Sequence, residues 1–318
     1  MTVLQAGFPR SGNYWLWKII EALKRSAGLE PRSFITGQPI HGVAKDWELS
    51  IRRMARVDFI IFAPEAPLYA IPPFFAYPIG DFDAYLSSTD HVWTHGRWDP
   101  ATEPFLRRFK KRVYIIRDPR DVLVSWAHYQ FNPKRMSGSP VRLTVKDPAA
   151  LLEARCRREA RSWAAHVGSY LEARAASADV HFVLYERLVG AFKEEVGALA
   201  RYLGLPFDAA GSSALKREVS FEALKGSDPD HRRREGAGEG RSILSARQRA
   251  AVEDIAGPVM RLCGYRVGAP GQPAVPQGPM PFPPDPGRVR RALLRSQRIG
   301  LPEFLDRDWA EFLKRFRV

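Results

Sequence analysis

The stretch QAGFPRSGNYWLWK, residues 5–18, decides how this chain folds. Gly7 and Gly12 have the G-x-x-x-x-G spacing of a Walker phosphate loop, but Asn13 and Tyr14 stand where such a loop has Lys and Ser or Thr. Those residues reach the terminal phosphates and hold Mg²⁺, so their replacement disfavours a metal-dependent kinase or ATPase. What remains is a turn with free backbone N–H groups, the Ser11 hydroxyl, a helix N-terminus and one cation, Arg10. That is either an anion cradle without a metal, suited to a single 5'-phosphate-like group, or an ordinary strand-to-helix turn. Before it, TVLQAGF is a short apolar run; after it, Trp15, Ile19 and Leu23 fall on one helical stripe. The unit reads as strand, turn, helix.

The same unit recurs. RVYIIRD (112–118) is a second apolar run, followed by a helix opened by Pro119 and Asp121 and populated by Val122, Val124, Trp126 and Tyr129. DVHFVLYERL (179–188) precedes an amphipathic helix that stops at Gly204 and Pro206. DHVWTHG (90–96) is a further short strand. Strands alternating with helices predict an α/β fold: a single P-loop-like domain whose mainly parallel central sheet is flanked by helices on both faces. Ligands of such sheets sit beyond the carboxyl ends of the strands, so the loops that follow these strands are where chemistry is expected.

Composition narrows the partners. With 318 residues and 45% apolar content the chain can fill a sizeable core, and its formal net charge of +14 favours an anionic partner, whether a phosphorylated small molecule, nucleic acid or a membrane surface. The two cysteines, Cys156 and Cys263, form no C-x-x-C pair, so neither a disulfide scaffold nor a zinc site is expected, and a reducing cytoplasm fits. MTVLQAGFPR has no basic n-region or long apolar h-region, so no secretory signal is expected. The most apolar window, Phe59–Ile79, contains five prolines and Glu65, which argues for a folded lid or pocket wall and against a membrane span. We divide the chain into a main domain (1–268) with an aromatic and Pro-rich insert (59–85), a Pro-rich linker or arm (269–287), and a basic amphipathic helical tail (288–318). In the tail, Leu301, Leu305, Trp309, Phe312 and Phe316 follow helical spacing, as expected of a helix docked on its own domain or on a sister subunit in a homodimer.

Three clusters carry chemistry. Besides the opening loop, Arg117 at a strand end and Ser125 in the following helix can grip a second phosphate; the alternative makes Arg117 and Asp118 a surface charge pair. Two separated phosphate sites point to a nucleotide phosphorylated at both ends. His95, just past the strand in VWTHGRW, is a candidate general base, since imidazole near its free pKa accepts a hydroxyl proton at neutral pH. Six other histidines compete with it: His41, His91, His128, His166, His181 and His231, of which His128 is the main rival for a local role.

In this order and spacing, the residues resemble the sulfotransferases that use 3'-phosphoadenosine 5'-phosphosulfate (PAPS). FPRSGNYWL is similar to their 5'-phosphosulfate loop, P-K-S-G-T-T-W, on Pro9 to Trp15, which implies cofactor contacts from Arg10, Ser11, Gly12, Asn13, Tyr14 and Trp15. VYIIRDPRDVLVSW resembles the 3'-phosphate motif, with Arg117 and Ser125 on the contact positions, and WTHG resembles the K-T-H segment, which gives His95 the catalytic role. The resemblance further implies that Tyr185 contacts the nucleotide, that Phe221 packs on adenine, and that Arg233 and Arg234 of RRREGAGEGR lie near the 3'-phosphate. It covers roughly residues 3–266 and implies transfer of a sulfuryl group to a hydroxyl, with adenosine 3',5'-bisphosphate (PAP) as product and no metal required. Arg10 takes the place of the loop lysine, Asn13 and Tyr14 of the two threonines, Trp93 of the lysine before T-H, and Glu235 and Gly240 of the glycine and tryptophan of the late loop. The charge on Arg10 is expected to serve the leaving group.

The acceptor is expected to be a small apolar or aromatic alcohol. Phe59, Phe62, Tyr69, Phe74, Phe75, Tyr77, Phe82 and Tyr85 of the insert supply enough aromatic surface for a pocket wall, or for a satellite core, and aromatic faces also stack on sugars. The competing functions are a P-loop small-molecule kinase, against which the missing Lys and Ser/Thr count, and a basic protein that binds nucleic acid or another anion without catalysis. No recognised nucleic-acid motif is present, which ranks the latter low for the core.

Overall fold

Val3–Gly7 is buried along its whole length, as a strand must be when both its neighbours and both its faces are covered. A computed structural model of the chain describes residues 2–47, 54–133, 145–220, 222–223, 237–268, 276, 278, 280 and 285–297. In chain order the elements are β1 (Val3–Gly7), α1 (Asn13–Ser26), α2 (Pro39–Ala44), β2 (Asp58–Ile61), β3 (Leu68–Ile71), β4 (Phe75–Pro78), α3 (Phe82–Ser88), β5 (His91–Thr94), α4 (Glu103–Leu106), β6 (Lys111–Ile116) and α5 (Pro119–Gln130). There follow α6 (Pro148–Ala175), β7 (His181–Leu184), α7 (Tyr185–Gly190), α8 (Phe192–Leu203), α9 (Ala209–Glu218), α10 (Glu239–Ile243), α11 (Ala246–Leu262) and α12 (Pro286–Gln297).

The strands form one sheet in the order β4-β3-β2-β5-β1-β6-β7. Neighbours from β2 through β7 are parallel, and β3 and β4 add an antiparallel flank. Side chains alternate between two cores, as the period of two requires. Leu4, Ala6, Tyr114, Ile116, Phe182 and Leu184 face one core; Val3, Val113, Ile115 and Val183 face the other, where they meet Leu16, Ile19, Ile20 and Leu23 of α1. Helices therefore cover both faces.

The stretch Phe59–Ile79 widens the sheet: β2 pairs with β5, and β3 and β4 fold back on it through Phe59↔Ala70 and Ala70↔Ala76. Helix α6, which the sequence reading does not place, is the longest described element at 28 residues. Asp147 caps it by accepting the Ala150 N–H, and Pro148 fits its first turn. It packs against α5, α11 and α12 as well as the sheet-side core, and buries Leu152, Cys156, Ala160, Trp163, Val167 and Leu171 at helical spacing, a stripe thinned by the small Cys156 and Ala160. Helix α12, the first part of the basic tail, lies on α6 and α11 and buries Val289, Ala292 and Leu293. Residues 298–318, with the rest of the tail's apolar stripe, lie outside the described residues, as does most of the Pro-rich arm. No described helix is long and apolar enough to cross a membrane.

Helix α1 is tied to the start of β5 by buried charge. Glu21 Oε1 accepts from His91 Nδ1 at 2.8 Å and from Lys24 Nζ at 3.2 Å, and Lys24 also donates to Asp90 at 2.5 Å. Burial works against the Glu21 carboxylate, but His91 and then Lys24 outweigh it and hold its pKa down at about 2. A depressed folded-state pKa stabilises the protein above the carboxyl's ordinary value, and that contribution is lost as pH falls towards the folded value. Glu21→Gln is therefore expected to cost about 3 kcal/mol at pH 7. In denaturant titrations the gap from the parent should close between about pH 4.5 and pH 2; a gap independent of pH would contradict this account.

Candidate active site at the carboxyl ends of the strands

The four parallel strands β5, β1, β6 and β7 end on one edge of the sheet, and each is followed directly by a residue singled out from sequence. The loop Phe8–Gly12 follows β1, His95 follows β5, Arg117 follows β6, and Tyr185 follows β7. Register fixes their relative heights, since Ala6 is level with Thr94, Gly7 with Ile115, and Ile116 with Leu184.

The loop is braced from within. Gln5 Nε2 donates to the Asn13 carbonyl at 2.7 Å, and Asn13 Nδ2 donates to the Phe8 carbonyl at 2.9 Å. Asn13 therefore shapes the turn with its side chain, and Tyr14 is buried with its ring stacked on Trp17 at 6.0 Å. At these two positions the groups offered to a ligand are the backbone N–H donors of the first helical turn, which have no intrahelical partner. Gly12 caps α1 at φ 95°, and a Cβ there would lie 2.5 Å from Cδ2 of Tyr185, so only glycine allows that ring to press on the loop. Ser11 Oγ is fully buried and makes no hydrogen bond within the described residues. An unpaired hydroxyl is costly unless something meets it, and beside a helix N-terminus an anionic oxygen fits.

His95 is held by its Nδ1, which donates to the Gly7 carbonyl at 2.8 Å. A carbonyl can only accept, so the proton sits on Nδ1 and Nε2 carries the lone pair. Burial foremost, with a contribution from Arg10 and against the pull of the Gly7 carbonyl, lowers the ring's pKa to about 4. The imidazole is neutral at physiological pH. Phe59 and Trp93 flank it at 5.5 and 5.4 Å between ring centroids, and the buried Trp93 indole N–H has no hydrogen-bond partner within the described residues.

The cations lie together. Arg117 is largely buried, its guanidinium 4.2 Å over the Tyr185 ring and its Nη1 donating to the Arg10 carbonyl at 3.4 Å. Asp118 does not pair with it on the surface; that carboxylate takes Arg120, which also reaches Glu253. Arg10 has φ 69°, donates from Nε to Ser125 Oγ at 3.3 Å, and lies 4.4 Å over the Tyr129 ring one turn further along α5. The loop cation thus reaches across to the helix that carries Ser125. Trp15 donates its indole N–H to the Val219 carbonyl and packs edge-on against Tyr185 at 5.6 Å, supporting that ring from behind. His128, the rival histidine, sits half-buried on α5.

Phe221, Arg233 and Arg234 lie outside the described residues. The chain that resumes after the arginines is caught by Asp121, whose carboxylate accepts the N–H groups of Gly238 and Gly240 at 2.6 and 2.7 Å. Sequence reading gave Asp121 and Tyr129 only places in the helix after β6; an aromatic one turn after Ser125 was the available signal for Tyr129. Among the described residues, no group of three or more His, Cys, Asp or Glu side chains is arranged to hold a metal ion.

The sequence matches the sulfotransferase domain family over residues 2–254. Among solved structures, the chain is similar to retinol dehydratase in complex with retinol and PAP, with a TM-score of 0.55 and 17% identity over 79% of each chain. It is also similar to retinol dehydratase in complex with androsterone and inactive cofactor PAP, with a TM-score of 0.51 and 16% identity over 79% of this chain and 78% of that one. Mouse sulfotransferase SULT7A1 complexed with PAP aligns at a TM-score of 0.49 and 19% identity over 79% of this chain and 81% of that one. At these identities the likeness to the retinol dehydratase structures is one of fold.

The packing of Tyr185 on the loop sets an expectation for Gly12. Gly12→Ala should destabilise the protein by about 1–2 kcal/mol from the left-handed backbone alone, with more from displacing the ring, and the denaturant midpoint measures it. An unchanged midpoint would mean that the loop relaxes freely.

Proposed function

The chain belongs to the sulfotransferase domain family, and on that premise we propose that it moves the sulfuryl group of PAPS to a hydroxyl of a small-molecule acceptor by in-line displacement, with His95 as general base. The observation that carries this reading is the bond from His95 Nδ1 to the Gly7 carbonyl, which leaves the Nε2 lone pair as the ring's only acceptor, beside the anion loop. PAPS supplies a sulfuryl group on a good leaving group. Nε2 takes the acceptor's hydroxyl proton as the oxygen bonds to sulfur; the bond from sulfur to the bridging oxygen breaks, that oxygen keeps the electron pair, and PAP departs. Arg10 helps to depress the His95 pKa, so anionic charge brought next to Arg10 raises the basicity of His95 when it is needed.

The residues present suit such a ligand without a metal. Ser11 Oγ, the N–H groups of Gly12, Asn13, Tyr14 and Trp15, and Arg10 offer donors to the 5'-phosphosulfate. Arg117 and Ser125 take the 3'-phosphate with Arg233 and Arg234, while Tyr185 and Phe221 hold the nucleoside. The acceptor is an apolar or aromatic alcohol, since Phe59 and Trp93 border the ring that would receive its proton. The retinol and androsterone bound by retinol dehydratase are of that kind. A cytoplasmic location accords with buried, unpaired Cys156 and Cys263.

His95→Ala is expected to lose at least about 100-fold in turnover while still binding PAP in calorimetric titration, and normal turnover would remove the base assignment. Arg117→Ala should instead weaken PAP binding, with loss of affinity in the same titration and a smaller effect on kcat. Affinity for PAP should be the same with and without Mg²⁺; a strict Mg²⁺ requirement would favour a kinase.

A further inference from the structure

Beneath His95 lies a set of hydrogen bonds to which the catalytic scheme gives no part. Strand β5 ends at Thr94, and the backbone groups that follow are met by side chains of α6. His166 Nε2 donates to the His95 carbonyl at 2.9 Å, the Tyr170 hydroxyl donates to the Gly96 carbonyl at 3.0 Å, and Ser169 Oγ accepts the Trp98 N–H at 3.0 Å. His166 and Tyr170 are one helical turn apart, which is why both reach the same short segment. On the far side of the His166 ring, the Tyr114 hydroxyl of β6 donates to Nδ1 at 2.7 Å. With a carbonyl at one nitrogen and a hydroxyl at the other, the ring is the neutral Nε2–H tautomer. The edge of Phe8, from the anion loop, meets the same ring at 5.5 Å. One fully buried imidazole therefore touches the turn after β5, strand β6 and the loop after β1.

We propose that His166 is a positioning residue for the reaction: its hydrogen bond to the His95 carbonyl, with its tautomer fixed by Tyr114, sets the height and direction of the His95 ring over the anion loop. His95 is then tethered twice, by its own Nδ1 to Gly7 and by its carbonyl to His166, and both tethers lead to elements that also shape the loop. A residue needed only to fill space here would not have to present an N–H at that carbonyl. Removing the donor leaves a buried carbonyl unpaired, and the segment relieves this by turning towards water, carrying the ring with it. A displacement of about 1 Å at a reacting group is enough to cost about 100-fold in rate.

The proposal rests on His95 as the base, but its test reads the ring itself. The groups that face His95 are Arg10 from the loop, Phe59 of β2, Trp93 of β5 and His166 of α6. In the full chain with ¹³C- and ¹⁵N-labelled histidine, NMR should find His95 neutral and Nδ1-protonated down to about pH 5. In His166→Leu its titration should move up towards the ordinary value of 6.5, with kcat down by about 10- to 100-fold and the KM for PAPS within about threefold. His166→Gln, whose amide can still donate to the carbonyl, should keep the parent titration and recover most of kcat. A folded His166→Leu protein in which His95 titrates as in the parent overturns the proposal. If that variant does not fold, Tyr114→Phe removes only the Nδ1 partner and should give a smaller shift in the same direction; no shift there overturns it equally. An active His95→Ala enzyme would defeat the base reading and leave the NMR result standing, so the two failures are separable.

Discussion

The parallel register of β5, β1, β6 and β7 is the constraint on which the rest of the structure depends. Parallel pairing sends all four carboxyl ends to one edge, so the residue after each strand arrives at the same place whatever its distance along the chain. Gly7 level with Ile115 and Ala6 level with Thr94 set the loop, His95 and Arg117 at matched heights. A slip of one residue in β5 would turn His95 to the opposite face and Thr94 towards Gly7, because side-chain direction alternates with a period of two. That register is held by burial on both faces, with Leu4 and Ala6 in one core and Val3 in the other.

On this edge the chain solves two electrostatic problems together. It gathers Arg10 and Arg117 in a small, partly desolvated space, and it spreads their charge by stacking one on Tyr129 and the other on Tyr185. Burial foremost keeps the neighbouring imidazole neutral, with a smaller contribution from Arg10 that anionic charge beside Arg10 would offset. Trp93 adds no charge to this region; its ring packs on Phe59 and His95. In the loop itself, the Asn13 side chain braces the Phe8 carbonyl and Tyr14 is buried against Trp17, which leaves the backbone N–H groups as what these two positions offer a ligand.

Much of the fold was legible because its signals are local. The apolar run before Gly7, Pro119 after RVYIIRD, and Gly204 at the end of α8 each mark a boundary through their own backbone preferences. Helix α6 was not read from sequence although Leu152, Cys156, Ala160, Trp163, Val167 and Leu171 fall at helical spacing, because small Cys156 and Ala160 thin the stripe and buried Ser162, His166 and Gly168 blur its edge. The strands β3 and β4 were hidden by their prolines, which sit in the turns and at the end of β4 and do not interrupt pairing.

The sequence by itself determined the βα units and singled out the opening loop, His95, Arg117 and Ser125 as candidates, because each is announced by residue type and spacing within a short window; Tyr185 came from the family resemblance. Only the tertiary structure decided that Asn13 serves the turn, that Arg10 reaches Ser125, that Asp121 catches Gly238 and Gly240, and that His166 meets the His95 carbonyl. These last contacts, Arg10 with Ser125 included, join residues 71 to 119 positions apart. They form because burial forces distant backbone groups to find partners, a demand that depends on which segments the packed sheet brings together and leaves no periodic trace in the chain.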